Sequence, residues 1–188
     1  MAIPHYFSVF ILSIFFFSNF LIIQSSKTIK TADLIYKTCK KISREDPNIS
    51  FNFCLTSLKL ATNHSRCTDV RHLGLLSIGL LYRNVTSTCH HITKLVKNKK
   101  LDPFVKSCLD DCLELYSDAI PTVKQAMKDY KSKRYDDVNV AIGSVMDAAT
   151  TCEDGFKERK GVASPLKKRD ENAFELGAIV LSIMSLVR

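Results

Sequence analysis

Residues 103–131 run PFVKSCLDDCLELYSDAIPTVKQAMKDYK, and this stretch decides the fold. Val105, Cys108, Cys112, Tyr116, Ala119, Val123, Ala126 and Tyr130 follow one another at steps of three and four. Such steps align side chains along one face of a helix, whereas a strand would need strict alternation. Pro121 lies inside the run. Its missing N–H predicts either a kink there or a split into two helices.

The same period extends outward on both sides. From about Asp69 to Lys97 the stripe is Ile78, Leu81, Val85, Cys89, Ile92 and Val96; from about Tyr135 to Lys157 it is Val138, Ile142, Val145, Ala149, Cys152 and Phe156. A last helix is predicted from about Asp170 to Arg188, and Ser164-Pro165 offers an earlier turn. Its nearly all-apolar end, from Leu176 onward, is too short for a typical membrane span. That end fits a buried bundle helix better than a lipid-anchor signal. Two shorter helices are predicted near Thr31–Ile42 and Ser50–Thr62, broken apart at Pro47. The links at Lys97–Lys100 and Lys131–Arg134 are short and basic. Short links make neighbouring helices antiparallel. The expectation is an all-α chain: a helical hairpin over 31–62, then an up-down-up-down four-helix bundle over 69–188.

No Lys, Arg, Asp or Glu occurs before Lys27, and the start is mostly apolar as far as Ile23. This predicts a secretory leader over residues 1–25 and a functional domain over 26–188. An uncleaved anchor is the alternative, and Ser25-Ser26 as a cleavage boundary argues against it. The domain keeps the whole formal net charge of +8. That balance favours anionic partners, while no basic segment interleaved with aromatics suggests nucleic-acid stacking. Sequons at Asn48, Asn63 and Asn84 are candidate glycosylation sites, with Asn84 inside a predicted helix.

Seven cysteines behind a leader predict disulfides with at least one thiol left over. Residues equally far from a hairpin turn lie at equal height. Cys112 stands 21 residues before Lys133 and Cys152 stands 19 after it. The mismatch is about 3 Å, whereas Cys108 would miss the same partner by about 9 Å. Register therefore favours Cys112–Cys152. It likewise favours Cys39–Cys54, placed symmetrically about Asp46-Pro47. Cys89 and Cys108 flank the Lys99-Lys100 turn, where a third bridge and buried free thiols are both open. Cys67 has no assigned partner.

Catalytic chemistry finds little support. Cys89-His90-His91 holds nucleophile and metal-ligand types, but adjacent helical residues point about 100° apart. His64 and His72 add no metal spacing. No catalytic residue, metal or cofactor is predicted.

Thr38-Cys39-Lys40-Lys41 through Phe53-Cys54-Leu55-Thr56-Ser57-Leu58 resembles the N-terminal hairpin of the plant invertase and pectin methylesterase inhibitors. Cys112-Leu113-Glu114-Leu115-Tyr116-Ser117-Asp118-Ala119 and Thr151-Cys152-Glu153-Asp154-Gly155-Phe156 resemble that family's second and third bundle helices. The likeness spans the mature chain and is greatest to the pollen-allergen type of invertase inhibitor. It implies a hairpin plus four-helix bundle, the same two disulfides, and an inhibitor rather than an enzyme. Acid invertase is the favoured target and pectin methylesterase the alternative; a non-inhibitory wall-binding module is a third reading. It further implies secretion to the cell wall, or delivery to the vacuole, with weak binding to anionic wall polysaccharide as an added expectation. No membrane contact is expected after leader cleavage. Invertase inhibitors often carry Pro-Lys-Phe before the third bundle helix, where this chain has Lys133-Arg134-Tyr135 without the proline. On that likeness Lys133, Arg134 and Tyr135 are the candidate target-binding residues. Arg134 suits a glycosidase carboxylate and Tyr135 suits sugar-stacking space. For pectin methylesterase the resemblance implies contact through polar helix faces instead. Departures from the family pattern are Cys67, Cys89 and Cys108, and a long first cysteine interval.

Overall fold

A computed structural model describes residues 30–62, 67 and 69–188 of the chain. The predicted leader, Asn63 and His64 lie outside the described residues. Helix α1 covers residues 30–45 and α2 covers Phe51–Thr62. The bundle follows as α3 (Val70–Leu95), α4 (Pro103–Lys131), α5 (Tyr135–Lys157) and α6 (Lys167–Ser185). Neighbouring bundle helices pack α3 on α4, α4 on α5, α5 on α6 and α6 back on α3, which closes the ring. No strand occurs among the described residues.

Local chemistry sets the helix starts. Asp69 caps α3 by accepting from the His72 N–H at 2.7 Å. Asp102 caps α4 by accepting from the Phe104 and Val105 N–H groups at 2.9 and 3.2 Å, with Pro103 at the first helical position. Both are carboxylates at the positive end of a helix dipole. Pro121 does not split α4, which is continuous from Pro103 to Lys131. Pro121 itself is exposed, so the carbonyl it leaves unbonded can turn to water.

The stripes read from the sequence are the core. Ile78, Leu81, Val85, Tyr116, Val123, Ile142, Val145 and Phe156 are all buried in one cluster. The apolar end of α6 is buried too: Leu176 and Val180 join the bundle core, and Ile179 and Ile183 lie under the hairpin. Among the described residues, no helix is long and apolar enough to cross a membrane. A second cluster joins Ile35, Ile42, Cys54 and Leu58 of the hairpin to Leu73 of α3 and Ile179 and Ile183 of α6. The Ser50 N–H adds a 2.7 Å bond to Glu175 of α6. The hairpin is thereby laid against the α3–α6 face. Two glycines mark close approaches: a Cβ at Gly74 would stand 2.1 Å from the Tyr130 hydroxyl, and one at Gly177 would stand 2.4 Å from Met146.

Disulfides join Cys39 to Cys54 and Cys112 to Cys152, with Cα separations of 5.7 and 5.0 Å. Cys67, Cys89 and Cys108 are free thiols. The Cys89–Cys108 bridge entertained from sequence is therefore absent, and the register explains why. The Cys89 sulfur lies 3.5 Å from the Ser117 hydroxyl. Ser117 is nine residues beyond Cys108, about 13 Å along the helix. The 96–102 link lets α4 overhang the end of α3 by about two turns instead of folding back symmetrically. Cys108 points elsewhere, its thiol 3.5 Å from the Gly155 carbonyl of α5.

Candidate functional site

The turn between α4 and α5 is built by the backbone. Arg134 N–H donates to the Asp129 carbonyl at 2.9 Å and Lys133 N–H donates to the Tyr130 carbonyl at 3.1 Å. This pair of bonds closes a helix end with one residue in the left-handed region, a place glycine usually takes. Here Lys133 takes it, with φ at 61°. The bonds force that conformation, and the exposed side chain leaves from the tip of the turn.

Arg134 and Tyr135 behave differently from Lys133. The Arg134 guanidinium pairs with the buried Asp129 carboxylate and lies 3.2 Å from Asp137. Gln125 donates to the same Asp129 oxygen at 2.8 Å. The hydrogen bond from Arg134 holds the Asp129 carboxyl below its usual range, and the same bond raises Arg134. Tyr135 begins α5 half-buried, its ring edge-on to Tyr130 with centroids 5.6 Å apart. Tyr130 is buried, and its hydroxyl donates to the Arg71 carbonyl at 3.1 Å. The three candidates thus share one bundle end, with only Lys133 projecting unpaired. Arg134 is a staple across the turn that keeps about half of its side chain open to solvent. Arg188 adds a pair with Asp136 beside them. Sequence reasoning missed Asp129, because a carboxylate five residues before an arginine carries no pattern of its own.

The other sequence candidates disperse. Cys89 faces α4, His90 is exposed, and His91 is half-buried on α3. Burial, then the charges of Arg169 and Lys94, lower the His91 pKa. Burial raises the thiols of Cys67 and Cys108, which makes them poorer nucleophiles. Among the described residues no three His, Cys, Asp or Glu side chains converge as metal ligands. Asn48 is exposed in the hairpin turn, with its amide donating to Asp46 at 2.9 Å. Asn84 lies within α3 with its amide oxygen buried. That placement leaves Asn48 the better presented acceptor of the two.

One buried polar pair was not anticipated. Tyr116 donates to Asp170 Oδ1 at 2.6 Å, joining α4 to α6 through the core. Asp170 Oδ2 lies 3.6 Å from the Cys152 sulfur, which as part of a disulfide has no proton to give. Burial pushes the Asp170 carboxyl up to about 7.

The described residues form an all-helical bundle pinned by two disulfides, the scaffold class that this fold defines. The model of the plant invertase/pectin methylesterase inhibitor family matches residues 33–183, and the chain belongs to that family. The family and the relatives found are inhibitors, not enzymes. The chain is 39% identical to a "Putative invertase inhibitor" of Platanus acerifolia, over 95% of this chain and 97% of that one. It is 30% identical to a pectinesterase inhibitor of Actinidia deliciosa, over 82% and 79% of the respective chains. The fold superposes on a mutant pectin methylesterase inhibitor from Arabidopsis with a TM-score of 0.64, at 21% identity, over 72% of this chain and 89% of that one.

Proposed function

We propose that this inhibitor acts on an acid invertase, outside the cell or in the vacuole, by plugging the enzyme's substrate cleft with the α4–α5 end of the bundle. The observation that carries the choice of target is the 39% identity to a relative named for invertase, against 30% to one named for pectinesterase. The geometry supplies a fitting surface. Lys133 projects from a turn locked by backbone bonds, so its main chain loses little entropy on binding. Glycosidases use paired carboxylates beside a sugar cleft, and a projecting cation suits that field. Arg134 lends its exposed half, held in place by Asp129, and Tyr135 forms the apolar shoulder. A stable plug buries on the order of 1,600 Å² in total. The test is titration against acid invertase at wall-like acidic pH. Lys133→Ala, Arg134→Ala and Tyr135→Ala should each weaken inhibition, Lys133→Ala without unfolding. Three variants that all inhibit like the parent would remove this end of the bundle from the interface.

A second reading keeps the inhibitor class and changes the target to pectin methylesterase. It is favoured by an open groove of about 620 Å³ between α4 and α5, bordered by Asp111, Glu114, Asp118, Asp154 and Glu158. That acidic helix face is the polar surface such binding would use. Titrating both enzymes with one preparation separates the two readings.

A further inference from the structure

The net charge of this chain is not spread over it. Segments 94–102 and 157–169 hold ten Lys and Arg against Asp102 and Glu158 alone. The chain has 27 such cations and 19 acids, so everything outside these two segments balances at seventeen of each. The structure brings both segments to one end of the bundle, opposite the α4–α5 turn. Arg159 pairs with Asp102 across the two links, and its guanidinium lies 4.4 Å from the centre of the Phe104 ring. His91 reports the field there: after burial, Arg169 from one segment and Lys94 from the other both hold its pKa down. Among the described residues Lys94, Lys97, Lys99, Lys100, Lys160 and Lys167 have no ion-pair partner, and all six are exposed.

We propose that this basic end is a docking surface for a linear polyanion of carboxylate type, an unesterified polyuronate. The surface is made of exposed lysine ammonium groups spread over two links, which suits evenly spaced carboxylates on a chain. The links 96–102 and 158–166 contain no aromatic residue, and Phe104 is covered by Arg159, so no platform for stacking bases is offered. Leu101 and Val162 pack toward the core, so no apolar wedge for a bilayer stands beside the lysines. Docked this way, the protein is held by one end while the α4–α5 turn stays free. The proposal does not depend on which enzyme is inhibited.

The test is retention of the purified, oxidised protein on immobilised polygalacturonate and on the same polymer fully methyl-esterified. Lys97→Gln/Lys99→Gln/Lys100→Gln/Lys160→Gln/Lys167→Gln is compared with a control that loses the same charge elsewhere, Lys37→Gln/Lys40→Gln/Lys41→Gln/Lys59→Gln/Lys124→Gln. The parent should bind the acid polymer, release it with salt, and ignore the ester. The end variant should lose roughly tenfold or more in affinity at low salt, and the control less than about threefold. Equal losses in both variants would make the binding a diffuse charge effect and overturn the proposal. So would equal binding to the ester. Displacement by DNA or by anionic vesicles at lower charge concentration than by free polygalacturonate would replace the polyuronate with that partner.

Discussion

Replacing Asp170 by Asn should flatten the dependence of stability on pH between about 4 and 7. Asp170 is 3% exposed and accepts from Tyr116 at 2.6 Å, with the Cys152 sulfur at its second oxygen. Burial raises its folded pKa from 3.8 to about 7, and the Tyr116 bond only partly opposes this. The sign follows from proton counting. Above about pH 4 the unfolded carboxyl has ionised while the folded one still holds its proton, so raising the pH favours unfolding. The contribution is fully present below the unfolded pKa and is lost as pH rises through the folded one. A shift of about three pH units corresponds to roughly 4 kcal/mol. That is a large part of a typical stability of about 5–15 kcal/mol, and about 10 °C in Tm for a domain of this size. Asn keeps an acceptor for Tyr116 and cannot ionise. Other groups bend the raw curve. Glu175, raised by burial, adds to the same slope, and His91, lowered, opposes it. Asp102 and Asp129 are lowered, so their losses fall at more acid pH. The measurement is therefore a difference: urea unfolding followed by circular dichroism at several pH values from 4 to 7.5, disulfides intact, parent against Asp170→Asn. Parallel curves for the two proteins would refute the assignment of a buried, protonated Asp170.

Four further outcomes are expected. Removing the Cys112–Cys152 bridge with a Cys112→Ala/Cys152→Ala pair should cost about 4 kcal/mol in thermal or urea unfolding, and removing Cys39–Cys54 about 3. Non-reducing peptide mapping should return these two links with the other three cysteines as thiols. Lys133→Gly relieves a left-handed backbone at φ 61° and should stabilise by about 1 kcal/mol in a melt, while weakening invertase inhibition. Gly74→Ala drives a Cβ into Tyr130 and should destabilise by about 1–3 kcal/mol, seen as a lower Tm.

Much of the scaffold was legible because its signals are local. The three- and four-residue steps named the buried faces of α3, α4 and α5 one by one. The Cys112–Cys152 link was readable because the turn at 132–134 is too short to allow a large offset between its helices. The same reasoning failed one hairpin earlier, where the 96–102 link set Cys89 against Ser117 and away from Cys108. At the candidate site the family likeness pointed to Lys133, Arg134 and Tyr135 and gave the contact roles to Arg134 and Tyr135, but packing separated them: Asp129 claimed Arg134, Tyr130 claimed Tyr135, and Lys133 was left at the tip.

Helix content, apolar faces and the symmetric disulfides were determined by the sequence alone, since each depends on spacing within one helix or across one tight turn. Only the tertiary structure decided which carboxylate meets which arginine, how far α4 slides past α3, and that Asp170 lies beneath the bundle surface beside a disulfide. Those outcomes depend on packing between segments far apart in the chain, where no local period constrains the meeting.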